Sequence, residues 1–78
     1  MMTKVEYIEE INLKYNHCAQ YEEELENADG EDYNELAKEN LETAFLQMGK
    51  LDDMTDDELD VMHEDLMVTW CHLEDLGY

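Results

Sequence analysis

Residues 51–65, LDDMTDDELDVMHED, indicate both the helical character and the charge of this chain. Eight of these fifteen residues, called the acidic stretch below, are acidic and none is basic. Thr55 and Glu58 have the spacing of a capping box, in which each side chain satisfies the backbone N–H of the other residue. Met54 and Leu59 occupy the two positions of a hydrophobic staple. The stretch therefore predicts the start of a helix at residue 56 and not a loose acidic tail.

Charge is the unusual feature of the composition. The chain has 78 residues, of which 44% are hydrophobic, but only 4 are Lys or Arg against 23 Asp or Glu, so the net charge is −19. A chain of this length buries only about 60% of its unfolded surface, which argues against a large enclosed active site. Regularly spaced apolar residues nevertheless favour folding over disorder. We expect one domain, residues 1–78.

The pattern predicts an all-α fold, a small three-helix bundle, with helices at residues 4–27, 32–48 and 56–76. The chain lacks proline and has three glycines, each of which lies where a helical pattern stops. These are Gly30, Gly49 and Gly77. Gly49 is expected to adopt a left-handed conformation that ends the second helix.

N-terminal capping and apolar stripes accompany each predicted helix. Thr3 with Glu6 forms a second capping box, and Asp32 with Glu35 is a further cap. The expected apolar positions of the first helix are Val5, Ile8, Ile11, Tyr15, Cys18 and Leu25, with Glu22 as an interruption. Those of the second are Tyr33, Leu36, Ala37, Leu41, Ala44, Phe45 and Met48. Those of the third are Leu59, Met62, Leu66, Leu73 and Leu76.

The second half of the third helix is apolar on nearly all sides, because Val61, Met67, Val68, Trp70 and Cys71 lie off its main stripe. Two interpretations are open. The helix is central and touches both others, or it leaves an apolar patch that a second subunit or another partner covers.

Metal sites and catalytic sites are not predicted. Residues 27–30, Asn-Ala-Asp-Gly, are similar to the middle of a calcium-binding EF-hand loop, but Leu25 and Leu36 then stand where carboxylates are required. The potential zinc ligands lack chelating spacing, so Cys18 is expected in the core and the histidines at the helix surface. These potential ligands are His17, Cys18, His63, Cys71 and His72. No nucleophile–base constellation, phosphate loop or cofactor motif is found, so we expect neither an enzyme nor a cofactor.

The absence of targeting signals in the sequence bears on the cellular location of the protein. The first residues do not resemble a signal peptide, and the two cysteines have no CxxC spacing, which favours a reduced cytoplasmic setting. No apolar run approaches the roughly 20 residues that cross a bilayer, and anionic lipid repels an anionic protein. A membrane role is not expected.

The net charge predicts the kind of partner. A helical bundle about 30 Å long has the length of duplex DNA that carries about 18 phosphate charges, at one charge per ~1.7 Å. The net charge of −19 has the same magnitude. We therefore expect a basic nucleic-acid-binding protein as the partner, and no direct binding of nucleic acid.

In size, charge and helical pattern the chain resembles the small acidic anti-defence proteins of phages and mobile elements, namely anti-CRISPR and anti-restriction DNA mimics. These groups share no signature, so the resemblance transfers no functional residue. It implies an inhibitor that blocks the substrate access of a host defence protein, such as a CRISPR effector.

Twelve residues are expected to contact the partner. The carboxylates would meet Arg and Lys side chains, and two tyrosines, placed off the main stripe among acids, would add exposed contact area. They are Asp52, Asp53, Asp56, Asp57, Asp60, Glu64, Asp65, Glu22, Glu23, Glu24, Tyr7 and Tyr21. The alternative is an acidic helical adaptor or regulatory subunit, in one form a homodimer, that binds through Met67, Val68 and Trp70.

Overall fold

The computed structural model describes residues 2–28, 30 and 33–78. Over these residues the chain forms four α-helices and one 3₁₀ helix, without a β-strand, so the predicted all-α class is confirmed. The α-helices are α1 (Lys4–Ala19), α2 (Glu22–Asn27), α3 (Asn34–Gln47) and α4 (Asp56–Asp75), and the 3₁₀ helix spans Met48–Asp53.

The first predicted helix, residues 4–27, is wrong in one respect, because a turn at Gln20 and Tyr21 divides it into α1 and α2. The N–H of Tyr21 donates to the carbonyl of Cys18 at 3.0 Å, which is the tighter spacing of a turn. The interruption of the apolar stripe at Glu22 lies at the start of α2. The count of three helices is therefore not confirmed.

The second predicted helix, residues 32–48, differs from the observed α3 at its C-terminal end, and its predicted start cannot be compared. Its predicted start and cap at Asp32 lie outside the described residues, and α3 begins at Asn34. The helix continues past Gln47 as the 3₁₀ helix, within which Gly49 lies. Gly49 is not among the glycines of positive φ, so the expected left-handed turn there is wrong.

The start of α4 agrees with the prediction. Thr55 and Glu58 form the capping box, with the side chain of each accepting from the backbone N–H of the other. Met54 and Leu59 are both buried in the core. The capping box predicted at the start of α1 is also present.

The end of α4 is a Schellman motif. The N–H of Tyr78 donates to the carbonyl of Leu73 at 2.9 Å, and that of Gly77 donates to Glu74 at 3.0 Å. Gly77 has a φ of 100°, which a residue with a side chain rarely adopts. The helix therefore ends at Asp75, one residue before its predicted end.

The two longest helices run parallel to each other. Near their N-terminal ends Tyr7 of α1 meets Asp60 of α4, and further along Cys18 lies against the backbone of Leu66. Beyond α1, Tyr21 stacks on Tyr78, which follows α4.

Helix α3 runs antiparallel to α4. Near the N-terminal end of α3, Asn34 meets His72, and one to two turns later Asn40 bonds to the backbone of Asp65. Helix α4 thus packs against both α1 and α3. Its fully buried leucines are central to the core, namely Leu59, Leu66 and Leu73.

Several apolar positions of the predicted stripes face solvent. Val5, Tyr33, Leu36 and Phe45 are exposed, and Phe45 is 70% accessible. Polar side chains take part of the buried area instead, because hydrogen bonds satisfy them there. The buried polar residues are Asn34, Asn40, Thr69 and His72. No helix in the described ranges is long and apolar enough to cross a membrane.

Candidate functional site

Acidic side chains cover the surface. Three of the 23 acids, Asp29, Glu31 and Asp32, lie outside the described residues, and none of the remaining 20 is buried. Lys14 pairs with Glu10 at 2.7 Å, one helical turn away. Because only four lysines oppose the acids, most carboxylates have no cation with which to pair.

The acidic stretch spans the 3₁₀ helix and the first half of α4. Asp52 and Asp53 lie on the 3₁₀ helix and are exposed. Asp56 and Asp57 lie in the first turn of α4, where the helix dipole favours negative charge. Glu64, two turns further along, is exposed as well. The described structure therefore leaves five predicted contact residues of this stretch open to solvent.

Asp60 and Asp65 are half-buried and have neighbours within the fold. The carboxylate of Asp60 accepts a hydrogen bond from the Tyr7 hydroxyl at 2.9 Å. The backbone carbonyl of Asp65 accepts from the side chains of Asn40 at 3.1 Å and Thr69 at 3.0 Å. Asp60 thus has a structural role that the sequence pattern did not predict.

Tyr7 corrects an expectation, because its ring is buried and not exposed to a partner. Its ring lies edge-on to His63, with centroids 5.9 Å apart. The hydrogen bond to the Asp60 carboxylate, followed by burial, raises the pKa of the Tyr7 hydroxyl. Tyr7 thus joins α1 to α4, and Ile11, one turn further along α1, is also buried in the core.

Two contacts position the N-terminal end of the acidic stretch. The ammonium of Lys4 donates to the backbone carbonyl of Asp52, which connects the start of α1 to the 3₁₀ helix. The backbone N–H of Thr55 donates to the Glu58 carboxylate at 3.0 Å, and this bond lowers the pKa of Glu58. The stretch is thus an exposed surface whose backbone is held in place by the rest of the fold.

The second predicted acidic run, Glu22 to Glu24, lies elsewhere. It forms the first turn of α2, with Glu22 and Glu23 exposed and Glu24 half-buried. One carboxylate oxygen of Glu24 is buried without a hydrogen-bond partner. The preceding Tyr21 is half-buried, because its ring stacks on Tyr78 with centroids 5.3 Å apart.

The two acidic runs lie near opposite ends of α4. Tyr7 touches α4 in its second turn at Asp60, whereas Tyr21 touches Tyr78 beyond the end of the helix. A helix of 20 residues is about 30 Å long. The structure therefore does not bring the twelve predicted contact residues into one site.

A groove of about 580 Å³ lies where α1, α2 and α3 meet, and we call it the acidic groove. Its apolar lining comes from Tyr15, Ala19, Leu25, Leu41 and Phe45. Its carboxylates are Glu22 and Glu26 on α2 and Glu35, Glu39 and Glu42 on α3, and Lys38 is the lining cation. Lys38 lies 3.0 Å from Glu35. Of this lining only Glu22 was a predicted contact residue.

A buried polar network holds α2 against α3 beneath the acidic groove. The side-chain amide of Asn34 donates to the carbonyl of Leu25 at 2.7 Å. Its amide oxygen lies 3.1 Å from His72 Nε2 and can only accept, so His72 is the donor. The apolar pattern of the sequence does not indicate this network, and His72, expected at the surface, is buried.

A smaller groove of about 230 Å³ lies between α1 and α4, and we call it the apolar groove. It is lined by Leu13, Lys14, Met67, Trp70, Cys71 and Glu74. Trp70 stacks on His17 with ring centroids 3.8 Å apart, which fixes its indole. Helix α4 is therefore central, in contact with α1 and α3, and it also leaves apolar side chains exposed. That a second subunit or another partner covers them stays a prediction.

The potential metal ligands are not assembled. Cys18 is buried, and burial raises the pKa of its thiol to about 11, whereas Cys71 is exposed. Within residues 2–28, 30 and 33–78, no three His, Cys, Asp or Glu side chains form a group that could hold a metal ion. Burial, followed by the charge of Lys14, lowers the pKa of His63.

Comparisons with known proteins give no further indication of identity. No protein-family model matches the chain, and neither a curated protein nor a solved structure matches it.

Proposed function

We propose that this protein is a DNA-mimic-like inhibitor that occupies the basic nucleic-acid-binding surface of a host defence protein, such as a CRISPR effector, or of another DNA- or RNA-binding protein. The observation that carries the proposal is a net charge of −19 on a particle of 35 × 22 × 18 Å. Duplex DNA about 35 Å long carries about 20 phosphate charges. The rigid support would be a bundle of the three longer helices.

Repulsion among the acidic side chains supports a role for this charge in binding a basic partner. A small domain needs a net charge of about 2–8 for solubility, and charge beyond that destabilises the compact state. Since four lysines cannot neutralise 23 acids, a basic partner is the natural source of compensation. Carboxylates in a basic channel accept the Arg and Lys hydrogen bonds that phosphates otherwise accept.

Duplex displacement tests the proposal. A labelled DNA duplex is bound to each member of a panel of basic nucleic-acid-binding proteins, including CRISPR effectors and restriction enzymes, and the protein is titrated in while fluorescence anisotropy is recorded. Polyglutamate of matched total charge is the control for non-specific competition. We expect displacement from at least one member at protein concentrations at which polyglutamate has no effect. Displacement from none, or equal displacement by polyglutamate, would contradict the proposal.

Exposed apolar side chains of α4, in and beside the apolar groove, favour a second candidate, an acidic adaptor or regulatory subunit that binds through this helix. Met67 and Val68 are exposed on this helix, and Trp70 lies beside them, half-buried. In this case Met67→Gln abolishes partner binding, and the complex, or a homodimer, survives high salt in sedimentation. Loss of the complex at high salt together with an unchanged Met67→Gln variant would reject this candidate.

A further inference from the structure

We infer that the acidic groove seats a basic amphipathic α-helix of the partner protein, with the apolar side of that helix on Phe45 and its basic side chains on the glutamates. The inference rests on the proposed function and identifies the part of the partner that would be bound. It assigns binding to a surface in which Glu22 alone was a predicted contact residue.

The floor of the acidic groove supplies apolar contact area. Leu25 and Leu41 are buried beneath it, and Tyr15 is half-buried at its side. Phe45 is 70% accessible although it lies on the amphipathic helix α3. A large exposed aromatic side chain beside buried leucines has the character of an interface anchor.

The glutamates form two rows around this floor. Glu22 and Glu26 are one turn apart on α2. Glu35, Glu39 and Glu42 occupy successive turns of α3 and span about 10 Å along its axis. Basic residues that repeat every three or four positions on both sides of an apolar helix face match this arrangement.

Charge complementarity favours a basic helix over the other possible occupants of the acidic groove. A second copy of the chain would bring a further −19 and a further pair of glutamate rows to the groove. Nucleic acid and anionic lipid are repelled for the same reason. Lys38 pairs with Glu35, but one lysine cannot neutralise five lining glutamates. An apolar helix without cations would therefore leave carboxylates at the edge of a dry contact, which costs free energy through their desolvation.

Binding of a designed peptide tests the inference. The probe is a synthetic peptide of leucine, lysine and arginine arranged as an amphipathic helix, and its control is a peptide of identical composition whose order removes the apolar face. Backbone amide shifts of the ¹⁵N-labelled protein locate the bound peptide. We expect shifts centred on Ala19, Leu41 and Phe45, and weaker, delocalised shifts with the control peptide.

The chain offers a matched pair of variants. Phe45 and Leu46 are neighbours with accessibilities of 70% and 66%, but only Phe45 lines the acidic groove. Phe45→Ala should weaken the amphipathic peptide by about tenfold, and Leu46→Ala by no more than about twofold. Equal effects of the two substitutions, or shifts confined to the acidic stretch, would overturn the inference, as would concentration-dependent shifts at Phe45 that reveal a second copy.

The displacement assay separates this inference from the proposed function. Displacement of DNA that survives Phe45→Ala but is lost on charge reversal in the acidic stretch would overturn the inference and leave the proposed function intact. Peptide binding that depends on Phe45, without displacement from any member of the panel, would support the groove as a basic-helix site and contradict the inhibitor.

Discussion

The acidic stretch and the acidic groove have the same sign of charge but different construction. In the stretch, most carboxylates are exposed on a surface whose position is set by a capping box and by the hydrogen bond from Tyr7 to Asp60. In the groove, two rows of glutamates surround an apolar floor with Phe45 exposed. The stretch offers only long-range, salt-sensitive attraction, whereas the groove adds contact area that salt does not screen.

This difference predicts a division of roles. Exposed charges accelerate the encounter with an oppositely charged partner, and desolvated contacts slow its dissociation. The stretch should therefore govern how fast a basic partner is approached, and the groove how long it is held.

Charge reversal should give the largest effect. Asp52→Lys, Asp53→Lys and Glu64→Lys change the stretch, and Glu22→Lys, Glu39→Lys and Glu42→Lys change the groove, by the same total charge. We expect each triple variant to lose about tenfold to hundredfold in affinity for the partner at low salt. The stretch variant should lose it in the association rate and the groove variant mainly in the dissociation rate. Surface plasmon resonance separates the two rates, and identical rate changes would contradict the division.

Asn34→Ala should produce the largest loss of stability. The substitution leaves the Leu25 carbonyl and the Nε2–H of His72 unpaired beneath the groove. An unsatisfied buried group costs about 1–3 kcal/mol, so we expect a loss of about 2 kcal/mol and a melting temperature lower by about 10 °C. Asn40→Ala, which removes the hydrogen bond to the backbone carbonyl of Asp65 at the end of the stretch, should cost less stability. Calorimetry that ranks the two variants in the opposite order would contradict the larger contribution of the Asn34 network to stability.

Thr55→Ala should lower the stability of the fold less than Asn34→Ala does. Its effect should be centred on the start of α4, within the acidic stretch. The substitution removes the side chain that caps α4, an effect of about 1 kcal/mol, whereas Thr55→Ser keeps the hydroxyl. Urea unfolding followed by circular dichroism measures both variants. A serine variant as unstable as the alanine variant would mean that the cap contributes nothing.

The smallest expected effect is the contribution of the Tyr7 hydroxyl to stability, and this contribution depends on pH. The pKa of this hydroxyl is raised by the Asp60 carboxylate and by burial, so its contribution to stability is present below the unfolded pKa of about 10 and is lost as pH rises through the folded value. Asp60→Asn should bring the Tyr7 pKa back towards its ordinary range. NMR titration of the tyrosine ring signals checks this, and a pKa unchanged in the variant would mean that Asp60 is not the cause.

The sequence predicted the features that depend on local chemistry. Both capping boxes and the start of α4 follow from side chains three residues apart. The division of the first predicted helix and the outward position of Phe45 depend on tertiary contacts. Asn34 becomes a core residue only because Leu25 and His72 lie opposite it, and no periodicity of apolar residues signals such a pairing.

The same distinction between local chemistry and tertiary contacts explains why the candidate site was predicted only in part. Exposed acids such as Asp52 and Asp53 are expected from composition alone, since charged side chains are rarely buried. The acidic groove combines residues from three helices, and its formation depends on how α2 is directed by the turn at Tyr21. Charge could therefore be predicted, but the place where charge and apolar surface meet could not.

The salt dependence of binding to a partner found by duplex displacement tests the central claim most directly. The logarithm of the association constant is measured against the logarithm of salt concentration, from about 0.05 M to about 0.5 M, for the wild-type protein and for the variant with the stretch reversed. A DNA mimic predicts a steep negative slope for the wild type and a shallower one for the variant. A slope near zero, or the same slope for both proteins, would contradict the claim that the protein replaces DNA through its charge.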